Sequence, residues 1–145
     1  MTPFNLEKAA YEVLLAADVH EAIPEVYAYG CRTLSGWGFP SSEGDLQERY
    51  AIIMEWLEGA ERATPENLTL DHATGFLYGL AEIHAAGVLH YDLYRRNMMV
   101  IPGSDRAIWI DFSCAHLNEE YALSGEMTTA RAVVMQMVCM LSFVH

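Results

Sequence analysis

A chain of 145 residues that is 52% hydrophobic and 19% charged can bury one core and lacks the composition of a disordered chain. Its 20 Asp and Glu against 8 Lys and Arg, a formal charge of -12, repel phosphate backbones and anionic headgroups, which argues against nucleic acid or a membrane as partner. The same balance suits Mg²⁺ or a cationic substrate, although an acidic solvated surface is the simpler account of it. Cys31, Cys114 and Cys139 are odd in number and form no CxxC pair, so neither a disulfide framework nor a zinc cluster is expected. With no leader pattern in MTPFNLEKAAYEVL and no run approaching the roughly 18 apolar residues of a membrane span, a soluble protein of the cytoplasm or nucleus is predicted.

Leu6, Ala9, Ala10, Val13, Leu14 and Ala17 recur at helical spacing and predict an amphipathic helix from Pro3 to Asp18, with Pro3 suited to its first turn. The β-branched and aromatic runs EVYAYGC, after Pro24, and YAIIMEWL, Tyr50 to Leu57, read as two strands. Between them RTLSGWGFPSSEGDLQE is dense in Gly, Ser and Pro and reads as an irregular insertion on a hairpin, the expected place for disorder. Thr69 caps a predicted helix to Ala86, whose face carries Ala73, Phe76, Leu77, Leu80, Ile83 and His84 and which Gly87 stops. A loop HYDLYRRN, a strand Met98 to Ile101, a turn PGSD and a strand Ala107 to Asp111 follow, and a last apolar helix is expected from Thr128 to Phe143.

The loop His90-Tyr91-Asp92-Leu93-Tyr94-Arg95-Arg96-Asn97 has the form H-x-D-L-x-x-x-N, and Asp111-Phe112-Ser113 comes fourteen residues after Asn97. An Asx-stabilised turn would account for Asp92 and Asn97 and a strand-end cap for Asp111. All three in this order, behind a long amphipathic helix, resemble the catalytic loop and metal-binding segment of the protein-kinase-like superfamily, and most closely its divergent fungal members. The resemblance implies an ATP-dependent phosphotransferase in which Asp92 orients the acceptor hydroxyl and takes its proton, while Asn97 and Asp111 hold Mg²⁺ against the phosphates. His90 would be architectural. The remaining histidines, without paired ligand spacing, read as surface or satisfied core residues, and solvation is the simpler reading of Arg95 and Arg96.

Upstream, AIIMEWLEG resembles the strand and hinge between the two kinase lobes, with Met54 at the gatekeeper position and the Glu55 carbonyl and Leu57 amide facing the adenine edge. An ordinary core strand with an acidic turn is the alternative. Glu7, in EKAAYEVL, resembles the ion-pairing glutamate of the small-lobe helix, or is a solvated charge favoured by the helix dipole. No glycine-rich hairpin or strand lysine precedes Glu7 in this sequence, Ser113 replaces the last glycine of the DFG-like triplet, and no A-P-E triplet follows. The expectation is therefore an α+β, partial protein-kinase-like fold over 1–145, with 1–57 a remnant small lobe and hinge and 58–145 a truncated large lobe. The function implied is transfer from Mg-ATP to a hydroxyl acceptor, protein Ser or Thr, by a chain that alone is weak or inactive. A pseudokinase or truncated binding module, and a small-molecule kinase of aminoglycoside or choline type, are the alternatives.

Overall fold

The computed structural model describes residues 1–40, 42, 45–117 and 126–135. The first helix, α1 (Pro3–Ala16), starts at Thr2, whose hydroxyl accepts the Asn5 amide at 3.2 Å, and stops two residues earlier than predicted. Its chain turns away through Asp18, held at φ 63°. The buried face is also rotated relative to the expected stripe: Ala10, Tyr11 and Leu14 are buried, whereas Ala17 is exposed. Glu7 lies on the same face at helical spacing, so a stripe drawn from apolar residues alone misses its centre.

Strands β1 (Val26–Thr33) and β2 (Glu48–Met54) form an antiparallel hairpin, with Val26 opposite Met54 and Thr33 opposite Glu48. β2 begins before Tyr50 and ends at Met54, so Glu55 to Leu57 lie beyond the strand. The segment expected to be irregular is partly folded: a 3₁₀ turn at Ser35–Trp37 brings the Trp37 indole over Gly30, where its Nε1 donates to the Arg49 carbonyl at 3.3 Å. Residues 41, 43 and 44 of that segment lie outside the described residues.

A two-residue strand β3 (Glu61–Arg62), which the sequence did not reveal, pairs with β5 (Met98–Val100), and β5 pairs with β6 (Ala107–Trp109). Both later strands are shorter than predicted, so Asp111 follows β6 rather than ending it. Helix α2 (Leu70–Ala85) packs on this sheet, with Phe76 and Trp109 edge to face at 5.4 Å and Trp109 Nε1 donating to the Phe76 carbonyl at 3.0 Å. Its start is a capping box: the Thr69 hydroxyl accepts from the His72 amide and His72 Nδ1 from the Thr69 amide. Phe76, Leu80 and Ile83 are fully buried, as the predicted stripe requires. Gly79 allows close approach on that face, because a Cβ there would stand 2.7 Å from the Ala22 methyl.

After α2, β4 (Val88–Leu89) pairs antiparallel with β7 (His116–Leu117), which encloses residues 90–115 between paired ends. Residues 126–135 are helical, beginning two residues before the predicted Thr128; the rest of that predicted helix lies outside the described residues. The fold is thus α+β with small, wholly antiparallel sheets. Among the described residues no helix is long and apolar enough to cross a membrane.

Candidate active site

The loop after β4 is fixed by hydrogen bonds that its own sequence supplies. The Asp92 amide donates to His90 Nδ1 at 3.3 Å, which leaves the ring proton on Nε2 for the Ile110 carbonyl at 3.0 Å. His90 is fully buried, and burial holds its pKa below the usual imidazole value. A neutral ring thus ties Asp92 to the segment before Asp111. The Ile110 amide donates to the Asn97 carbonyl at 3.0 Å, so the two ends of the motif are bound directly. Asn97, nearly buried on a 3₁₀ turn at Arg95–Asn97, donates Nδ2 to the Asp92 carbonyl at 2.9 Å and to its Oδ2 at 2.8 Å.

Arg96 is not merely solvated. Its Nη2 donates to Asp92 Oδ1 and Oδ2 at 2.7 and 2.9 Å. Asp92 Oδ2 therefore takes two donors and Oδ1 one, which leaves lone-pair capacity on Oδ1 for a hydroxyl. Arg95 is exposed, in line with the simpler reading.

Glu126, which sequence reasoning passed over, clamps the loop from below. Its Oε1 accepts from the His90 amide at 2.7 Å and pairs with His84 Nε2 at 2.9 Å, and its Oε2 accepts from the Tyr91 amide at 2.8 Å. Burial pushes this carboxyl up, but the His84 bond and the two amides outweigh it and hold the pKa below the usual carboxylate value. The clamp also holds Tyr91 at φ 64°, a left-handed conformation that a bulky residue rarely adopts. The only advance sign of Glu126 is an acid at the start of an apolar helical run.

Asp111 also sits at φ 64°, exposed at the end of the β5–β6 hairpin, with Oδ1 accepting from the Ser113 amide at 3.2 Å. Glu7 reaches across from α1 to accept the Phe112 amide at 3.3 Å. It is not a solvated charge. Burial and the nearby Asp111 raise its pKa, against a smaller lowering by the Phe112 amide. Tyr11, one turn on, packs edge to face on Phe112 at 5.2 Å, and Phe112 stacks on His90 at 4.6 Å.

Glu7, Glu55, Leu57 and Asp111 line one cleft of about 590 Å³, together with Tyr11, Met54 and Met99. That volume is within the usual range of small-ligand sites, roughly 300–1,000 Å³. Among the described residues the Glu55 carbonyl and Leu57 N–H make no backbone bond, so both are available to a ligand edge. The Glu55 side chain turns elsewhere: its carboxylate takes Arg106 Nη1 at 2.6 Å and Nη2 at 3.0 Å and the Glu25 amide at 3.1 Å. Arg106, which the sequence did not single out, lowers the Glu55 pKa and anchors the segment after β2 to the β5–β6 turn.

Of the two residues expected to hold Mg²⁺, Asp111 lines this cleft, whereas Asn97, like Asp92, is not among its lining residues and is joined to it through the Ile110 amide. Asn97 spends its Nδ2 on Asp92 and keeps its Oδ1, and Asp111 spends Oδ1 on Ser113 and keeps Oδ2, so each presents an oxygen with no protein partner among the described residues. Among those residues no cluster of three or more His, Cys, Asp or Glu is placed to hold a metal ion. Comparison with protein-family models and with curated proteins gives no match to this chain.

Proposed function

We propose that the chain carries the nucleotide cleft and catalytic loop of a protein-kinase-like phosphotransferase, which moves the γ-phosphoryl group of Mg-ATP to a hydroxyl acceptor of the protein Ser or Thr class. The observation that carries this reading is that Glu7, Asp111, Glu55 and Leu57 line one cleft, with the Glu55 carbonyl and Leu57 N–H free of backbone bonds among the described residues. Adenine would meet the hinge, the phosphates would point toward Asp111, and Asn97 and Asp111 would hold the ion, whose part is to neutralise phosphate charge. Asp92 Oδ1 receives the acceptor hydroxyl and its proton, while Asn97 keeps the carboxylate oriented through Oδ2.

A second reading, transfer to a small hydroxyl compound, draws on a cavity of about 510 Å³ beside the same loop, lined by Leu89, Leu93, Tyr94 and Val133. Both readings share the nucleotide site and are tested together. The chain is titrated with Mg-ATP by calorimetry, then incubated with labelled ATP and protein or small-molecule acceptors. Asp111→Asn should weaken Mg-nucleotide binding about tenfold or more, and Asp92→Asn should cut transfer by about 10² or more while sparing binding. Mg-ATP binding that ignores Asp111→Asn, or no binding at all, would refute the proposal.

A further inference from the structure

Tyr11 is fully buried, yet it lines the cleft that Glu7, Glu55 and Asp111 share. Its O–H has no acceptor among the described residues. A buried donor left in that state costs free energy, and such groups are rare in folded proteins. Acceptors are not lacking nearby. Glu7, one turn back on α1, spends Oε1 on the Phe112 amide, and Asp111 spends Oδ1 on Ser113, so each keeps an oxygen that bonds no protein group among the described residues. Neither takes the Tyr11 proton, because the ring is fixed edge to face on Phe112 at 5.2 Å. Burial, then the nearby Glu7 and Asp111 carboxylates, raise the pKa of Tyr11, so it stays a neutral donor. The rest of the cleft offers acceptors and apolar surface. Its lining residues include no Lys, Arg or His, and their other side-chain donor is the Trp56 indole, which is 87% exposed.

Resting on the phosphotransferase reading, we propose that Tyr11 is a nucleotide-binding residue whose hydroxyl donates to a phosphate oxygen at the Asp111 end of the cleft. A ligand whose anionic end lies toward Asp111 meets one buried side-chain donor there, and it is this one. A neutral donor suits the place, since it bonds a phosphate oxygen without pairing off the Asp111 carboxylate, which stays free for the ion. Binding also ends the cost of the orphaned O–H, so the ligand gains what the empty fold forgoes.

Tyr11→Phe removes the oxygen and keeps the ring on Phe112, so stability and binding should move in opposite directions. The full chain is melted without ligand and titrated by calorimetry with adenosine, Mg-ADP and Mg-ATP. Without ligand, Tyr11→Phe should melt about 2 °C or more above the original chain, because an unsatisfied buried donor is gone. Its affinity for Mg-ADP and Mg-ATP should fall about tenfold or more, while adenosine, which carries no phosphate, stays within about twofold. Tyr29→Phe is the control: the Tyr29 hydroxyl on β1 also lacks a partner among the described residues, but Tyr29 is not a lining residue of the cleft. That variant should leave all three affinities within about twofold. Mg-ADP binding to Tyr11→Phe within about twofold of the original, or an equal loss for adenosine, would overturn the assignment while leaving nucleotide binding intact. A Tyr11→Phe chain that is less stable, or does not fold, would overturn it too, since the hydroxyl would then serve the fold. Failure of the unaltered chain to bind either nucleotide would overturn the phosphotransferase reading itself.

Discussion

Replacing Glu126 by alanine removes three acceptor contacts at once: those to the His90 amide, the Tyr91 amide and His84 Nε2, at 2.7, 2.8 and 2.9 Å. Among the described residues neither amide has a second partner; the His90 donor is buried and the Tyr91 donor part-buried, and a buried donor left without an acceptor costs about 1–3 kcal/mol. The strained φ of 64° at Tyr91 would also lose the bond that enforces it, so the loop would relax rather than wait unpaired. A loss of roughly 3–5 kcal/mol follows, a large share of the about 5–15 kcal/mol that holds an ordinary domain. For a chain of this size that is a fall in Tm of about 10 °C or more. The assay is thermal and urea unfolding, with hydrogen exchange read at the His90 and Tyr91 amides. Glu126→Gln, which keeps one acceptor oxygen, should lose about half as much, and Tyr91→Gly in the alanine background should recover about 1 kcal/mol by removing the Cβ penalty. A Glu126→Ala chain that melts within about 2 °C of the original, with both amides still protected, would refute the clamp.

Two other changes test the packing and the tautomer. Gly79→Val should destabilise the fold by about 2 kcal/mol in urea, because the added Cβ meets the buried Ala22 methyl at 2.7 Å; unchanged or improved stability would show that this contact yields freely. His90→Phe keeps the stack on Phe112 but removes the titrating ring. Since burial depresses the folded pKa of His90, the unfolded chain binds a proton more readily below about pH 6.5, and stability is lost as pH falls from there toward the folded value. The original chain should therefore lose stability between pH 7.5 and 5.5 faster than His90→Phe, by up to about 1.4 kcal/mol per pH unit, and equal slopes would contradict a buried neutral His90. Glu7, whose pKa is raised, acts in the opposite sense, gaining stability as pH falls through its folded value, but it is common to both chains and cancels in the difference.

What the sequence disclosed was what local spacing encodes. Helix α2 was readable because Thr69, the apolar face through Ile83 and Gly87 at φ 82° all point to the same element. The H-x-D-L-x-x-x-N spacing likewise located Asp92 and Asn97, whose bond spans five residues of chain. Strands β3 and β7 were not legible, since two residues are too few to show an alternation. Glu126 escaped because its partners are amides 35 and 36 residues away, which any sequence would present equally. The Glu55–Arg106 pair, 51 residues apart, is hidden for the same reason. Glu7 was noticed through resemblance, yet its orientation depended on which face α1 buries, and only packing against Phe112 decides that.

The polar site depends on an apolar column that runs across the molecule. Tyr11 meets Phe112 at 5.2 Å, Phe112 meets His90 at 4.6 Å, His90 meets Trp109 at 5.5 Å, and Trp109 meets Phe76 at 5.4 Å, so α1, the loop and α2 share one line of rings. Close-packed rings do not slide independently. Glu7 on α1 accepts the amide of Phe112 itself, so a movement of α1 reaches Asp111 both through that bond and through the ring beneath it. Left-handed backbone at Asp111 and Tyr91 costs free energy at each position; at Asp111 the neighbouring Phe112 is held by Tyr11, His90 and Glu7, and at Tyr91 the Glu126 carboxylate takes the amide. The backbone that carries Asp111 is thus held from beneath by Phe112, His90 and Tyr11, which is why the geometry of the site should be more sensitive to Tyr11 than to most residues on the rim of the cleft.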